Sequence, residues 1–224
     1  MHYDPALDNH GLAINPFKAC VGPRPIGWIS TVSIDGIDNL APFSQFNNLG
    51  FDPPYIMFSA AVNSEFKRKD SVVNVEDMGQ FVYNLVPYDL REKMNLTAAT
   101  TGPEVDEFEV AGLTKADSIK VKPKRVAESP VQLECELVQT IRLPGNSRAG
   151  ACDLVIGKVV MIHIKDEYIM PDGKLDVLKI RTLARLGYAD YTTVQEVFSM
   201  HVSNTQSVPG SCGWMNSEPL GKKE

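Results

Sequence analysis

The chain has 224 residues, enough for one large domain or two small ones, and its 43% apolar and 22% charged residues are ordinary for a globular protein. A formal net charge of −6 argues against nucleic acid as the main partner, because phosphate backbones select basic surfaces. The sequence shows no secretory leader, no apolar run of membrane-spanning length and no CxxC pair, so we expect a reduced, cytoplasmic protein that binds neither membrane nor structural zinc.

Strand signals dominate the chain. Residues 28–33 alternate in the β manner and end at the turn dipeptide Asp35-Gly36. Residues 39–48 are expected to return beside this strand, with irregular pairing at Pro42. Further strands are predicted over residues 55–59, 80–86, 131–143 and 154–165.

Helices are predicted in two places. One begins at Asp70 or Ser71 and ends near Gly79, and a second covers residues 89–99. The charged, Gly- and Pro-rich stretch from 101 to 130 is interpreted as an excursion carrying one or two strands. Many short strands with few helices predict a mostly β, Greek-key type barrel over residues 1–202, followed by a polar tail over 203–224.

A polar loop before the first predicted helix has the composition of a phosphate site. It contains three consecutive cations, Lys67, Arg68 and Lys69, and the side-chain donors Ser59, Asn63 and Ser64. Converging donors, positive charge and a helix N-terminus are what a phosphate group requires. The alternative is a solvated loop whose lysines only keep it soluble.

Three other segments carry candidate binding residues. Ser44, Gln45, Asn47 and Asn48 bring donors and acceptors to the return strand, although they would equally suit a loop that covers a sheet edge. Ser30 and Thr31 face opposite sides of one strand, next to Trp28, which is more often a core residue than a stacking one. Arg185, Gly187, Tyr188 and Tyr191 form the last group, for which a turn with surface aromatics is the alternative. His163 is more typical of a hydrogen-bonded strand residue than of a catalyst.

In their order along the chain, these segments resemble the flavin reductase-like family, whose members have the FMN-binding split-barrel fold. The matching segments are Pro-Arg-Pro-Ile-Gly-Trp-Ile-Ser-Thr-Val-Ser (23–33), Asn-Leu-Ala-Pro-Phe-Ser (39–44), Asp-Pro-Pro (52–54), Arg-Lys-Asp-Ser-Val-Val-Asn (68–74), Phe-Val-Tyr-Asn (81–84), Gly-Lys-Val-Val (157–160) and Ala-Arg-Leu-Gly-Tyr (184–188). They cover about residues 12 to 195.

The resemblance implies a homodimer with FMN, or alternatively FAD, bound near the interface. The residues that it assigns to the flavin are Trp28, Ser30, Thr31, Ser44, Gln45, Phe46, Asn47, Ser59, Asn63, Ser64, Arg68, Lys69, Ser71, Arg185 and Tyr188. Of these, Ser64, Arg68, Lys69 and Ser71 would hold the phosphate. No dedicated catalytic residue is expected, because the flavin itself carries the redox chemistry.

Three functions fit this prediction. The first is an NAD(P)H-dependent flavin reductase that passes hydride from nicotinamide to flavin and can supply a partner oxygenase. The second is an electron carrier or ferric reductase with tightly bound FMN, and the third is a flavin-binding protein without turnover. The sequence does not distinguish NADH from NADPH, because it has no ribose-reading motif of the Rossmann kind.

Overall fold

A computed structural model describes residues 1–7, 9–63 and 65–200 of the protein. The predicted tail at 203–224 and the candidate residue Ser64 therefore lie outside the described residues. Within the described part of the chain, no helix is both long enough and apolar enough to cross a bilayer.

The described chain is built mainly from antiparallel strands. The strands are β1 Arg24–Pro25, β2 Gly27–Val32, β3 Asp38–Phe43, β4 Phe46–Phe51, β5 Pro54–Ala61, β6 Gln80–Asn84, β7 Lys115–Ala116, β8 Arg125–Val126, β9 Val131–Leu143, β10 Cys152–Ile164, β11 Leu183–Gly187 and β12 Asp190–Thr193. The helices are short: α1 Phe17–Cys20, α2 Asp70–Met78, α3 Arg91–Leu96, α4 Glu107–Val110 and α5 Val177–Ile180.

Seven strands form one curved sheet in the order β3-β2-β6-β9-β10-β5-β4, while β1-β11-β12 and β7-β8 form smaller sheets. The two edge strands of the large sheet, β3 and β4, are separated in the chain by only Ser44 and Gln45. The backbone N–H of Ser59 on β5 donates to the carbonyl oxygen of Gln45 over 2.8 Å. The opposite edges of the sheet are thus brought together, which confirms the predicted mostly β barrel.

Two apolar cores lie on the two faces of β2. Ile29 belongs to the core inside the barrel, where Phe58 and Phe81 are fully buried. Helix α2 contributes Val72 and Val75 to this same core. Trp28 faces the other way, into a second core shared with α3, α4 and β8. The alternation of β2 therefore positions both α2 and the segment around α3 against the barrel.

Most of the predicted elements are confirmed, and the differences have physical causes. Pro42 pairs regularly with Trp28 rather than irregularly, because β3 is an edge strand whose proline leaves no ladder bond unmade. The helix predicted over 89–99 is shortened to α3 and preceded by one 3-10 turn, Tyr88–Leu90. On β9, Gln132 and Glu134 lie opposite the apolar residues as predicted, yet both are buried.

Candidate functional site

A polar groove runs between β3, the N-terminus of α2 and the segment that follows α3. We call it the α2 groove; it is lined by Asn39, Ala41, Asn63, Lys69, Asp70, Ser71, Thr97, Ala99, Thr100, Thr101 and Glu107. The groove thus brings together three residues of the predicted phosphate site: Asn63, Lys69 and Ser71.

The N-terminus of α2 opens into this groove. Lys69 is the N-cap residue, with extended backbone and no side-chain capping bond, and its carbonyl oxygen accepts from Val72 N–H over 2.9 Å. The N–H groups of Asp70 and Ser71 at the start of the helix have no intrahelical acceptor. Among the described residues the Lys69 ammonium makes no ion pair. The groove therefore combines N–H donors that have no intrahelical acceptor, a half-buried cation and the positive end of a helix dipole with two carboxylates, Asp70 and Glu107.

A buried hydrogen-bond network forms the floor of the α2 groove. Ser71 Oγ donates to Asn39 Oδ1 over 2.8 Å, and Thr31 Oγ1 donates to the same oxygen over 3.2 Å. Asn74 Nδ2 donates in turn to Thr31 Oγ1 over 3.1 Å. Thr31 is fully buried, so its place is behind the groove rather than in its lining. Two neighbouring strands and α2 are locked together at this point.

Glu107 is the buried carboxylate of the groove, and its oxygens are occupied by the protein. They accept from Asn39 Nδ2 and the backbone N–H of Leu40, both over 2.9 Å, and from Thr101 Oγ1 over 2.6 Å. Neither Glu107 nor the threonines after α3 were predicted, because no local pattern links residue 39 to residue 107. Asn39 lies in a segment that the sequence does single out, at residues 39–48.

The loop before α2 is folded by Asn63. Its Oδ1 accepts from the backbone N–H groups of Glu65 and Lys67, over 3.0 and 2.9 Å. Lys67 then extends into solvent, where it pairs with Glu65 over 2.7 Å. Of the three predicted cations, Lys67 is therefore on the outside of the loop and Lys69 borders the groove.

Arg68 does not line the α2 groove. Its guanidinium forms a bidentate pair with Glu76 at 2.7 and 2.6 Å, and its Nε donates to Asp153 Oδ2 over 3.1 Å. Hydrogen bonding to Glu76 first, and then to Asp153, raises the pKa of Arg68 above its usual value despite partial burial. Asp153 is 1% exposed and also accepts from Arg142. The structure thus pairs Arg68 with two carboxylates, and its assignment to the phosphate stays a prediction.

Trp28 and Ser30, two more of the candidate residues, are fully buried in the second core. The indole N–H of Trp28 donates to Thr97 Oγ1 over 2.9 Å, and Ser30 Oγ donates to the carbonyl oxygen of Lys124 over 2.6 Å. Neither side chain reaches the groove. Trp28 acts on it only indirectly, by holding Thr97 in the groove wall.

The turn between β3 and β4 carries the candidates Ser44 and Gln45, with Phe46 and Asn47 following in β4. Gln45 and Asn47 are exposed, Ser44 is half-buried, and Phe46 is buried with its ring stacked on Tyr83. Ser59 lies next to this turn through its bond to Gln45. The turn and the α2 groove are at opposite ends of β3. The five residue steps from Asn39 to Ser44 separate them by about 17 Å, at the usual rise of a strand.

The last predicted group lies on β11 and the turn after it. Arg185 faces Tyr191 across the ladder, while Arg24, its partner on the other side, donates to the carbonyl oxygen of Ser44 over 3.2 Å. Tyr188 is 38% exposed, with a φ of 50°. A Cβ on Gly187 would lie 2.6 Å from the carbonyl oxygen of Lys18, so the close approach that this glycine allows is made by the protein's own chain.

Residues 22–178 match the flavin reductase like domain. The chain belongs to this family. An uncharacterised protein of Aquifex aeolicus is 39% identical over 167 residues, which cover 75% of this chain and 82% of the relative.

Solved structures agree with this assignment. Component B of nitrilotriacetate monooxygenase from Bacillus cereus superposes with a TM-score of 0.77 at 30% identity, covering 86% of this chain and all of the other. The 2-nitrobenzoate 2-nitroreductase NbaA of Pseudomonas fluorescens, at 24% identity and a TM-score of 0.76, covers 94% of this chain and 100% of its own and shows the same fold.

Proposed function

We propose that the protein is a flavin-dependent oxidoreductase that binds FMN with its phosphate in the α2 groove and takes hydride from NAD(P)H. The observation that carries this proposal is the meeting of Lys69, Ser71 and the open N-terminus of α2 in one groove. Family membership gives the chemical class of the ligand, since these features alone would suit any phosphate ester.

The donors at the start of α2 suit the anionic tail of an elongated ligand. With its phosphate at the start of α2, such a ligand would extend along β3 toward the Ser44–Gln45 turn, where the barrel edges meet. The exposed side chains of Gln45 and Asn47 there are available to a polar ring edge. In this arrangement Lys69, the backbone N–H of Ser71, Ser44, Gln45 and Asn47 are the flavin contacts of this chain, since the Ser71 hydroxyl already donates to Asn39.

Bound flavin supplies the redox chemistry, so the protein's own residues bind and orient. Lys69 and the α2 dipole neutralise the phosphate charge, and the network under Asn39 keeps that end of the groove rigid. The similarity to a monooxygenase component supports a role in supplying reduced flavin to a partner oxygenase. We further propose that the functional unit is a homodimer.

The first test is the Lys69→Ala variant, with Lys67→Ala as its matched control. Both remove one positive charge from the same loop, but Lys67 is paired with Glu65 in solvent. Loss of a charge-assisted phosphate contact should weaken FMN binding roughly 10- to 100-fold in Lys69→Ala. FMN affinity measured by fluorescence quenching should be nearly unchanged in Lys67→Ala, and equal effects in both variants would contradict the phosphate assignment.

Anaerobic absorption spectra test the reaction. Flavin bound by the purified protein should lose its absorption when NADH or NADPH is added, and the faster nucleotide identifies the donor. The same titration with FAD in place of FMN decides between the two flavins. Bound flavin that neither nucleotide reduces would instead indicate an electron carrier or a binding protein without turnover.

A further inference from the structure

A second groove, of about 640 Å³, lies between α3 and the β11–β12 hairpin, and its size is that of sites that enclose a drug-sized molecule. We call it the arginine groove, since Arg91 stands on its helical wall and Arg185 on its strand wall. None of its lining residues lines the α2 groove.

Aromatic rings hold its guanidinium groups in place. Arg185 lies over the Tyr191 ring at 4.5 Å from the centroid and also donates to the Tyr191 hydroxyl. Arg91 and Arg181 lie 4.0 and 4.2 Å from the centroid of Tyr88. Two guanidiniums cannot both stand that close on one face, so they cover the two faces of the ring. The cations are thus pre-organised, and neither face of the Tyr88 ring is open to stack on a ligand.

The positive charge of the groove is poorly compensated. Of the described residues that line it, only Glu92 is acidic, and its 3.4 Å pair with Arg91 is exposed, with the Glu92 side chain 79% accessible. Such an exposed pair contributes little and can be exchanged for another anion. A concentration of guanidiniums on a chain of net charge −6 favours a ligand that carries negative charge locally.

We propose that the arginine groove binds the diphosphate part of a nucleotide through Arg91 and Arg185. Planar guanidiniums match phosphate oxygens with two parallel hydrogen bonds, and the groove has room for an attached nucleoside. Arg185 on β11 pairs with Arg24 on β1, and the Arg24 side chain donates to the carbonyl oxygen of Ser44. These contacts connect the arginine groove to the C-terminal end of β3. The identity of the nucleotide rests on the proposed function, under which it is the nicotinamide hydride donor.

ADP, which is redox-inactive, is the probe that separates this site from the flavin reaction. In calorimetric titrations of the full chain without flavin, Arg185→Gln and Arg91→Gln should each weaken ADP binding about tenfold or more. Lys174→Gln, which removes an exposed charge paired with Asp172, should leave it unchanged. Arg185→Lys keeps the charge but lacks the fork, so it should still bind ADP several-fold more weakly, and thermal unfolding confirms that each variant is folded.

Two results would overturn the inference: no ADP binding to the folded wild-type chain, or binding that is lost in Lys69→Gln and kept in Arg185→Gln. The second would place the ADP phosphates in the α2 groove. If ADP binds as expected while FMN does not bind at all, the nucleotide site stands and the proposed function fails. In a protein that does reduce flavin, Arg91→Gln should raise the KM for the nicotinamide nucleotide about tenfold or more without changing FMN affinity.

Discussion

The positions of Arg68 and Lys69 show how neighbouring cations in one loop acquire different roles. Lys69 borders the α2 groove, whereas Arg68 is used by Glu76 and by the buried Asp153. An arginine fork suits two carboxylates better than a lysine does, because it donates in several fixed directions at once. The sequence alone places both residues beside a phosphate, since Asp153 is 85 positions from Arg68 and no local pattern connects them.

Arg68→Ala is therefore expected to lower stability more than flavin affinity. Removing the guanidinium leaves buried Asp153 with Arg142 as its remaining cation, which should cost about 1–3 kcal/mol of unfolding free energy. Lys67→Ala should change that free energy by less than about 0.5 kcal/mol, as expected for an exposed pair. Urea unfolding measures both. If Arg68→Ala left stability unchanged and weakened FMN binding, the prediction that Arg68 contacts the phosphate would be supported instead.

Glu134 is a second residue whose role depends on distant parts of the chain. It is fully buried and accepts from the backbone N–H groups of Ile119 and Lys120, over 2.8 and 2.6 Å, and lies 2.6 Å from His163 Nε2. Burial acts to raise the pKa of Glu134, but those backbone hydrogen bonds and His163 outweigh it and leave the pKa below its usual value. The strand histidine is thus a hydrogen-bonded structural residue, as its pattern indicates.

This lowered pKa gives Glu134 a defined pH signature. Its contribution to stability should be complete above the ordinary glutamate pKa, about 4.3, and should be lost as the pH falls through the lower folded-state value. Glu134→Gln should destabilise the protein by roughly 2 kcal/mol at pH 7, because one buried oxygen that accepts hydrogen bonds is replaced by an NH2 group that can only donate. Unfolding free energies measured from pH 7 down to pH 3 should show the two proteins converging, and a constant gap would refute the account.

At the scale of elements, alternation and turn signals are enough to place most strands. β9 spans residues 131 to 143 as its pattern predicts, and α2 ends at Met78, followed by Gly79 with the left-handed backbone expected of a C-capping glycine. The burial of Gln132 and Glu134 could not be read from that pattern. It depends on the segment between 116 and 126 folding back over β9, an arrangement made by long-range hydrogen bonds.

The packing of β10 against β6 depends on Gly157, at a break in the β9–β10 register. A Cβ there would lie 2.4 Å from the Phe81 ring and 3.2 Å from Cys135. Gly157→Ala should therefore destabilise the barrel by about 1–3 kcal/mol through overpacking. Gly50→Ala on β4, where the nearest atoms are 3.7 Å away, is the matched control with a small effect. Equal thermal shifts in the two variants would mean that the barrel interior adapts freely at Gly157.

At the scale of the whole molecule, the question is whether one chain completes the flavin site. Several large apolar side chains are exposed on the barrel, among them Phe51 at 60%, Leu49 at 54% and Ile162 at 52%. Burying such side chains against a second copy is favourable in proportion to the area removed from water. Leu49 and Phe51 lie on β4. The exposed Asn47 lies on the same strand, and the exposed Gln45 directly precedes it. A dimer formed through this surface would therefore bring partner residues close to the ring end of the site.

Sedimentation equilibrium should accordingly give twice the 24.7 kDa of the chain. If the flavin site includes groups from both copies, dilution below the dimer dissociation constant should weaken FMN binding, because mass action then couples the two equilibria. Phe51→Asp should lower dimer stability and FMN affinity together, since it places a charge in the apolar contact, while Lys67→Ala should alter neither. A monomer that binds FMN with undiminished affinity at every concentration would show that the α2 groove and the β3–β4 turn of a single chain are sufficient.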